Sequence, residues 1–220
     1  MSPLMPFNVM DKSGKNKVAK ETKVRWDRIA KHYSLVEFLS EWYLAPFRKI
    51  LWAHASGNIL EAGVGSGLNI AYYPQGARVT AVDLSGAMMQ KAQERALGRN
   101  REVTFKEADL CDLPFTGGSF DTAAATFVFC SVPEPVACLR ELARVTKRDG
   151  QILLLDHVRI ENPWIGPLMD RLNAATSRFA GEHINHRMDS FAREAGLEIV
   201  ESRRYGFMGV IQFTAVRPGA

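Results

Sequence analysis

The stretch "NILEAGVGSGLN" (residues 58–69) carries the clearest structural signal in this chain. It begins as a short apolar run, which favours a buried strand, and continues with glycine at positions 63, 65 and 67. Glycine permits positive φ and a close approach of the backbone to a ligand. In an open α/β sheet, ligands bind beyond the carboxyl ends of the strands, where this turn falls. The stretch therefore predicts a nucleotide-binding turn after the first strand of an α/β sheet.

After this turn, apolar strands alternate with helices. Ser85 is a predicted N-cap, because its side chain can accept hydrogen bonds from the first amides of a helix that runs to about Leu97. A second helix is predicted over residues 135–146. Near-continuous apolar strands separated by helices indicate a parallel sheet covered on both faces. The predicted strands are residues 59–62, 78–82, 103–105, 120–128 and 151–158.

The carboxyl-terminal part breaks this alternation. Residues 163–195 are predicted to be mostly helical, with a turn at "GEHINH". Two strands follow, at 197–205 and 210–216, and only "GFMG" separates them. A connection that short permits a hairpin but no parallel crossover. The fold expected is therefore a doubly wound α/β sheet that is mostly parallel and has one antiparallel strand near the carboxyl terminus.

The amino-terminal quarter is basic and aromatic. Residues 11–31 hold eight basic and three acidic side chains, a balance of +5, so the rest of the chain carries about −1 of the net charge of +4. Such a basic arm attracts anionic lipid or nucleic acid, or forms a solvated tail. Pro46 is predicted to kink or split a helix in this region. The predicted organisation is a disordered tail at 1–16, a helical cap at 17–55, and a main domain at 56–220 with a helical insertion at 160–195.

Composition argues against several other classes. No apolar run approaches the ~18–20 uncharged residues that span a bilayer. The first ten residues contain no basic segment, so no secretory signal is expected. The three cysteines, Cys111, Cys130 and Cys138, are an odd number without C-x-x-C spacing and suggest neither a disulfide framework nor a zinc site. A reducing, cytoplasmic environment and no bound metal are therefore expected.

Two nucleotides fit a glycine turn at this place, a nicotinamide or flavin dinucleotide and S-adenosylmethionine. The dinucleotide pattern G-x-G-x-x-G requires glycine where this chain has Leu68. Glu61 precedes the first glycine, and a carboxylate there offsets the ammonium group of S-adenosylmethionine, directly or through water. Asp83 ends the second strand and can accept hydrogen bonds from ribose hydroxyls, as an acid does in dinucleotide sites. The pattern favours S-adenosylmethionine and leaves a dinucleotide as the alternative.

Asp109 follows the third strand and is itself followed by Leu110. A carboxylate at this edge can accept a hydrogen bond from the exocyclic amine of adenine, while Leu110 packs against the ring. The alternative for Asp109 is a loop or capping aspartate.

Four segments together resemble a known family. They are "LEAGVGSGLN", "VTAVDLSGAMMQKAQERA", "ADLCDLPFTGGSFDTAAATFVFCSV" and "LRELARVTKRDGQILLLDH". In this order they resemble the class I S-adenosylmethionine-dependent methyltransferases, in the branch of ubiquinone/menaquinone-biosynthesis and bacterial phospholipid N-methyltransferases, over roughly residues 25–217. The resemblance implies a seven-stranded Rossmann-like sheet with an antiparallel last strand, and S-adenosyl-L-methionine as methyl donor. One departure is "TKRDG", where the family usually has Pro-Gly.

The resemblance also implies roles for individual residues. The turn after the first strand would hold the methionine end of the cofactor, the next two strand ends the ribose and adenine, and the end of the fourth strand the floor beside the reactive methyl group. The cofactor residues implied are Glu61, Gly63, Gly65, Gly67, Asp83, Leu84, Met88, Asp109, Leu110, Phe127 and Val128.

Residues that could serve the methyl acceptor are fewer. The resemblance implies that Tyr33 closes over the cofactor, with a core aromatic as the alternative. His157, at the end of the fifth strand, could orient the acceptor or remove a proton, or could be a structural histidine. In "GEHINHR", the side chains of His183, Asn185 and Arg187 could bind a phosphate or carboxylate head group, or could cap a helix and form a surface ion pair.

The expected acceptor is lipid-like. The basic arm, the aromatic cap and the mixed apolar and cationic insertion suit an amphipathic substrate, with the amino head group of phosphatidylethanolamine first. An anionic membrane surface could then bind the arm. The alternative within the family is a small molecule, a thiol or a quinol precursor. A dinucleotide oxidoreductase and a nucleic-acid-binding module are less well supported, because the third glycine is missing and no nucleic-acid motif is present.

Overall fold

The computed structural model describes residues 12–29, 33–179 and 185–219. A single seven-stranded sheet runs through it in the order β3-β2-β1-β4-β5-β7-β6. The strands are β1 (Asn58–Ala62), β2 (Arg78–Asp83), β3 (Val103–Glu107), β4 (Phe120–Thr126), β5 (Thr146–His157), β6 (Glu198–Tyr205) and β7 (Ile211–Arg217).

Six α-helices surround the sheet in the described part of the chain. They are α1 (Lys12–Ile29), α2 (Tyr33–His54), α3 (Gly86–Leu97), α4 (Pro135–Val145), α5 (Ile165–Phe179) and α6 (Met188–Glu194). Two short 3-10 helices, Leu68–Tyr72 and Phe207–Gly209, connect strands.

The strand directions confirm the predicted fold class. β1 pairs in parallel with β2 on one side and with β4 on the other. β7 lies antiparallel between β5 and β6, with Leu154 opposite Thr214 and Ser202 opposite Thr214 from the other side. The five residues between β6 and β7 cannot carry the chain back across the sheet, so β7 must reverse its direction. The result is a doubly wound α/β sheet with one antiparallel strand.

Both faces of the sheet are buried, which explains the near-continuous apolar strands. One face packs against α2 and α3, and its core includes Ile59, Trp52 and Ala92. The other face packs against α4 and α6, and its core includes Leu60 and Leu139. Alternate residues of each central strand thus enter opposite cores.

Several predicted boundaries were wrong, each for a local reason. Helix α1 begins at Lys12, inside the segment 1–16 predicted to be disordered, because a helix anchored further along gains a hydrogen bond with each residue added. Helix α2 continues through Pro46, so the split that was one of the two predicted outcomes there does not occur, while the predicted kink stays a prediction. Strand β5 begins at Thr146, five residues before the predicted start, and the "TKRDG" segment joins the sheet.

None of the described helices is both long enough and apolar enough to cross a bilayer.

Candidate cofactor and acceptor site

The glycine turn follows β1 at the carboxyl edge of the sheet. The amides of Gly63 and Val64 both donate to the carbonyl oxygen of Val82, each at 2.9 Å. A Cβ on Gly67 would lie 2.9 Å from the Cα of Ala92, so helix α3 can approach the turn only because residue 67 is glycine. Gly65 also has positive φ, at 53°, but a Cβ there would meet no atom within 4 Å. The turn is therefore packed tightly at its base and open at Gly65, where a ligand fits.

Asp83 joins this turn to the end of β2. Its Oδ2 accepts a hydrogen bond from the amide of Gly65 at 2.8 Å, and its Oδ1 accepts one from the amide of Ser85 at 2.9 Å. Burial raises the pKa of the Asp83 carboxyl, and these backbone amides oppose that shift. The side chain is half-buried beside the open turn, as an acceptor for ribose hydroxyls requires.

The start of helix α3 confirms the predicted cap. Ser85 is the N-cap, and its Oγ accepts from the amide of Met88 at 3.2 Å. The same Oγ donates to Oδ1 of Asp27 at 2.5 Å, which brings helix α1 over the start of α3. Leu84 is half-buried and Met88 is buried beside Asp83. Helix α1, part of the amino-terminal helical cap, therefore lies next to Asp83, where the ribose is predicted to bind.

Asp109 and Leu110 lie beyond the end of β3. The amide of Ala108 donates to the carbonyl oxygen of Asp83 at 3.0 Å, so this loop adjoins the β2 end. Oδ1 of Asp109 accepts from the amide of Cys111 at 2.9 Å, the local turn of the loop-aspartate alternative. That bond occupies one carboxylate oxygen and leaves the adenine role of Asp109 as a prediction. Leu110 is buried in the core.

Glu61 is placed differently from the expectation. It is fully buried, and its Oε1 accepts from Nδ2 of Asn69 at 2.5 Å while its Oε2 accepts from the hydroxyl of Tyr73. Burial raises its pKa to about 7, against the effect of these two hydrogen bonds and of Arg48. With both oxygens engaged inside the protein, Glu61 anchors the segment that follows the glycine turn, and its role towards the cofactor ammonium group stays a prediction.

Arg48 of helix α2 completes this network, and sequence reasoning missed it. Its Nη1 donates to Oδ1 of Asn69 at 2.8 Å, and its Nε donates to Oε2 of Glu41 at 3.0 Å. Its guanidinium also lies 5.0 Å from the centre of the Phe127 ring. Its position one residue after Phe47, on the apolar stripe of α2, was the only sequence signal for it.

The end of β4 carries Phe127 and Val128, which are predicted to form the floor beside the reactive methyl group. The strand ends at Thr126, two residues before the predicted end, because Phe127 adopts a left-handed conformation with φ of 56°. Val128 fills the space against Gly63, whose added Cβ would lie 2.6 Å from a Val128 methyl group. Oδ2 of the buried Asp156 accepts from the amide of Phe129 at 2.7 Å and holds the segment in place.

His157 ends β5 next to this floor. Its ring lies 4.7 Å from the ring of Phe127, between centroids. Burial lowers the pKa of His157, Asp156 opposes the shift, and the charges of His186 and Arg48 add to it. The imidazole is therefore neutral at pH 7 and able to accept a proton.

The predicted head-group residues form an ion-pair network. Nδ2 of Asn185 donates to Oδ1 of Asp170 at 3.1 Å, and Nε of Arg187 lies 3.9 Å from Oε1 of Glu161. Arg159 donates from both Nε and Nη2 to Asp170. This is the surface ion-pair alternative weighed for the segment. His183 lies outside the described residues, as does the side chain of Tyr33.

The cysteine expectation was wrong. Cys111 and Cys138 form a disulfide between the loop after β3 and helix α4, while Cys130 lies outside it. The pairing depends on tertiary contact across 27 residues of sequence, so spacing rules could not reveal it. Within the described residues, Asp109 and these two cysteines are also the only three potential metal ligands grouped together.

The strand ends thus place several of the predicted site residues at one edge of the sheet. The open glycine at position 65, the half-buried Asp83 and the neutral His157 lie along the carboxyl edge of β1, β2 and β5. The first two suit the methionine and ribose parts of S-adenosylmethionine, and the third lies beside the floor where a methyl acceptor would approach. When bound, the cofactor would supply an electrophilic methyl group, and the chain would hold it in position.

Known proteins that are similar in sequence to this chain include methyltransferases. A methyltransferase-domain family matches residues 60–154. The chain is 30% identical to a phosphatidylethanolamine N-methyltransferase from Cereibacter sphaeroides, over 71% of this chain and 78% of that protein. It is 34% identical to a ubiquinone/menaquinone biosynthesis C-methyltransferase from Syntrophotalea carbinolica, over 67% of this chain and 66% of that protein.

A solved structure shows the same fold. It is an S-adenosylmethionine-dependent methyltransferase from Thermotoga maritima, described as a possible histamine N-methyltransferase. Its TM-score is 0.71 at 17% identity, over 90% of this chain and 99% of that chain. Since sequence, fold and cofactor surface agree, the chain belongs to the class I S-adenosylmethionine-dependent methyltransferases.

Proposed function

We propose that this methyltransferase acts on a lipid-like acceptor, and first on the amino head group of phosphatidylethanolamine. A relative of that name is 30% identical over most of both chains. The structural observation that carries the proposal is a set of exposed apolar side chains around the acceptor side of the cofactor surface.

Helix α5 carries the first part of this set. Trp164 immediately before it, and Leu168 and Leu172 within it, are spaced four residues apart and so share one face. Trp164 is 84% exposed, and the two leucines are about half exposed. A helix with an exposed tryptophan and leucine face, next to the cationic Arg171, suits the interface of a bilayer.

The second part lies between β6 and β7. Phe207 is 76% exposed, and its amide donates to the hydroxyl of Tyr43 at 3.0 Å. Trp42, the neighbour of Tyr43 on α2, is 86% exposed. We refer to Trp42, Trp164, Leu168, Leu172 and Phe207 as the apolar rim.

The rim and the cofactor surface share one edge of the sheet. The connection that holds Phe207 leads into Ile211, which pairs with His157 at the carboxyl end of β5. Helix α5 follows the same strand end, and Nη1 of Arg204 donates to the carbonyl oxygen of Arg159 at 3.0 Å to tie the two parts together. A lipid that rests against the rim would therefore present its head group towards His157.

His157 supplies what an amine acceptor needs. The ammonium of phosphatidylethanolamine must lose a proton before its nitrogen can act as a nucleophile. The neutral imidazole of His157 can accept that proton, and its contact with Phe127 holds the ring at the floor of the site. Arg187 is exposed and lies 3.9 Å from Glu161, so the lipid phosphate would replace that carboxylate as its partner.

The basic amino-terminal segment supports the same proposal. Helix α1 lies at this edge through the contacts of Asp27 with Ser85 and of Lys23 with Glu107. Its positive charge would attract an anionic bilayer, so we propose that the enzyme works at the cytoplasmic surface of a membrane.

The test is methyl transfer from labelled S-adenosylmethionine to vesicles that contain phosphatidylethanolamine. Transfer to the lipid is expected. Trp164→Ala and Phe207→Ala should each reduce the rate of transfer and the fraction of the protein that sediments together with the vesicles. Leu97→Ala is the matched control, because Leu97 is 81% exposed at the far end of α3. No transfer to the lipid, or an equal effect of all three substitutions, would contradict the proposal.

A second candidate acceptor is a quinol precursor. The relative from Syntrophotalea carbinolica, named as a C-methyltransferase of ubiquinone and menaquinone biosynthesis, favours it at 34% identity. Such a ring is also apolar, so the rim alone does not separate the two acceptors. Transfer to a demethylated quinol in detergent, with none to phosphatidylethanolamine, would establish this second function.

A further inference from the structure

The disulfide between Cys111 and Cys138 lies directly behind the loop assigned to adenine. Cys111 is the residue after Leu110, and its amide donates to Oδ1 of Asp109 at 2.9 Å. Cys138 is almost fully buried in helix α4, whereas Cys111 is half-buried. The bond therefore ties the adenine loop to the core of the domain.

Noncovalent contacts already tie the same loop to α4 one step further along. The amide of Leu113 donates to Oε1 of Glu141 at 2.8 Å, and Nη2 of Arg144 donates to the carbonyl oxygen of Leu113 at 2.9 Å. Cys138, Glu141 and Arg144 recur every three residues and so share one face of α4. The loop can thus keep its place without the disulfide, but with more freedom at Asp109 and Leu110.

The reduced pair also has a place in the structure. Sγ of Cys111 lies 3.7 Å from the carbonyl oxygen of Glu134, which can accept a hydrogen bond from its thiol. The Cys111 sulfur can therefore be accommodated at this position both in the disulfide and as a free thiol, as a reversible disulfide requires.

We propose that Cys111 and Cys138 form a redox modification site that sets the affinity for the cofactor. The oxidant is a small-molecule disulfide such as glutathione disulfide. The more accessible Cys111 thiolate attacks it to give a mixed disulfide and one glutathione thiolate. Cys138 then attacks Sγ of Cys111, the protein disulfide forms, and the second glutathione leaves. The two protein thiols lose two protons and two electrons in total, and one glutathione disulfide becomes two glutathiones.

Oxidation should strengthen cofactor binding. The disulfide restricts the loop before the ligand arrives, so less conformational freedom is lost on binding. We expect S-adenosylhomocysteine to bind the oxidised protein about 5-fold more tightly than the reduced protein. This inference rests on the assignment of Asp109 and Leu110 to adenine.

The test uses the full-length protein equilibrated in glutathione buffers of increasing oxidising strength. Thiols are counted after acid quenching and unfolding, and S-adenosylhomocysteine affinity is measured by calorimetry. All three cysteines should react in the reducing buffer and Cys130 alone in the oxidising buffer. Cys111→Ser should show the weaker affinity in both buffers, and Cys130→Ser, the matched control, should keep the full change.

Three results would overturn the proposal. They are three reactive thiols in every buffer, equal affinity of the two redox states, or thiols masked until a chelator releases a metal from Asp109, Cys111 and Cys138. Cys111 is half-buried, so its replacement perturbs the core less than replacement of Cys138, and a thermal melt checks the fold. Asp109→Ala distinguishes failure of the adenine assignment from failure of the proposed redox role of Cys111 and Cys138. If it leaves affinity unchanged, the adenine assignment fails, whereas an effect of Asp109→Ala without a redox effect overturns this inference alone.

Discussion

Arg48 of helix α2 donates a hydrogen bond from Nη1 to Oδ1 of Asn69, 2.8 Å away, and Asn69 in turn donates to Glu61. The bond connects the amino-terminal cap with the glycine turn. Arg48 is buried, and its contact with the Phe127 ring extends the connection to the acceptor floor. The cap is therefore hydrogen-bonded to the segment that follows the glycine turn.

Replacement of Arg48 should weaken both fold and site. Arg48→Met removes the Arg48 donor from Oδ1 of Asn69 and from Oε2 of the partly buried Glu41, so we expect a loss of about 2–3 kcal/mol in unfolding free energy. S-adenosylhomocysteine affinity should fall about 10-fold, because the turn loses the bond that positions Asn69. Denaturant unfolding and calorimetry measure the two effects. Lys49→Met, on the exposed side of the same helix, is the control, and equal behaviour of the two variants would contradict the role of Arg48.

Glu61 should make the fold less stable as pH rises. Its pKa is about 7 in the folded protein against an ordinary value of 4.5. Between these values the folded protein holds a proton that the unfolded chain releases, so the unfolding free energy falls with rising pH, by up to about 3 kcal/mol from this group. The loss is complete above pH 7 and absent below pH 4.5.

Denaturant unfolding at pH 5 and pH 8 measures this effect. Glu61→Gln should remove the decrease, whereas Glu94→Gln, an exposed glutamate on α3, should retain it. Because an ionised Glu61 attracts a cation, affinity for S-adenosylmethionine should also rise with pH near 7 in the parent protein and not in Glu61→Gln. If the unfolding free energy of the parent protein and of Glu61→Gln fell in parallel as pH rises, the raised pKa could not be assigned to Glu61.

Two glycines provide a matched test of the open side of the turn. Gly65 and Gly76 both have positive φ, and a Cβ on either would meet no protein atom within 4 Å. Alanine at each should cost about 1–2 kcal/mol of stability from the left-handed backbone alone. Only Gly65→Ala places a methyl group in the space proposed for the cofactor, so it alone should reduce S-adenosylhomocysteine affinity, by about 10-fold or more. Equal affinity in the two variants would show that the cofactor does not bind next to Gly65.

His157 should govern the acid side of the activity profile. Its pKa is lowered from 6.5, chiefly by burial, so transfer to an amine should decline with a midpoint below pH 6.5, as the imidazole gains a proton. His157→Asn should lower kcat by about 100-fold and remove that decline, while cofactor affinity changes little. His54→Asn, an exposed histidine on α2, is the control. An unchanged kcat in His157→Asn would exclude the proton-accepting role.

Local signals in the sequence were enough to predict the sheet and the glycine turn after β1. Ser85 was predictable as an N-cap because capping depends on neighbouring amides, and the short "GFMG" connection required the antiparallel β7. Arg48 and the Cys111–Cys138 bond were not predictable, because each depends on elements far apart in the chain. The left-handed conformation of Phe127 was also not predictable, because the apolar residues continue past Thr126 and give no sign that β4 ends there.

The central claim is that the turn at Gly65 and the carboxylate of Asp83 form a site for S-adenosylmethionine. Calorimetric titration of the purified protein with S-adenosylhomocysteine, and separately with NADH, tests it most directly. The account predicts saturable binding of one S-adenosylhomocysteine per chain, at least about 10-fold weaker in Asp83→Ala, and no binding of NADH. Binding of NADH without S-adenosylhomocysteine, or unchanged S-adenosylhomocysteine affinity in a folded Asp83→Ala variant, would contradict it.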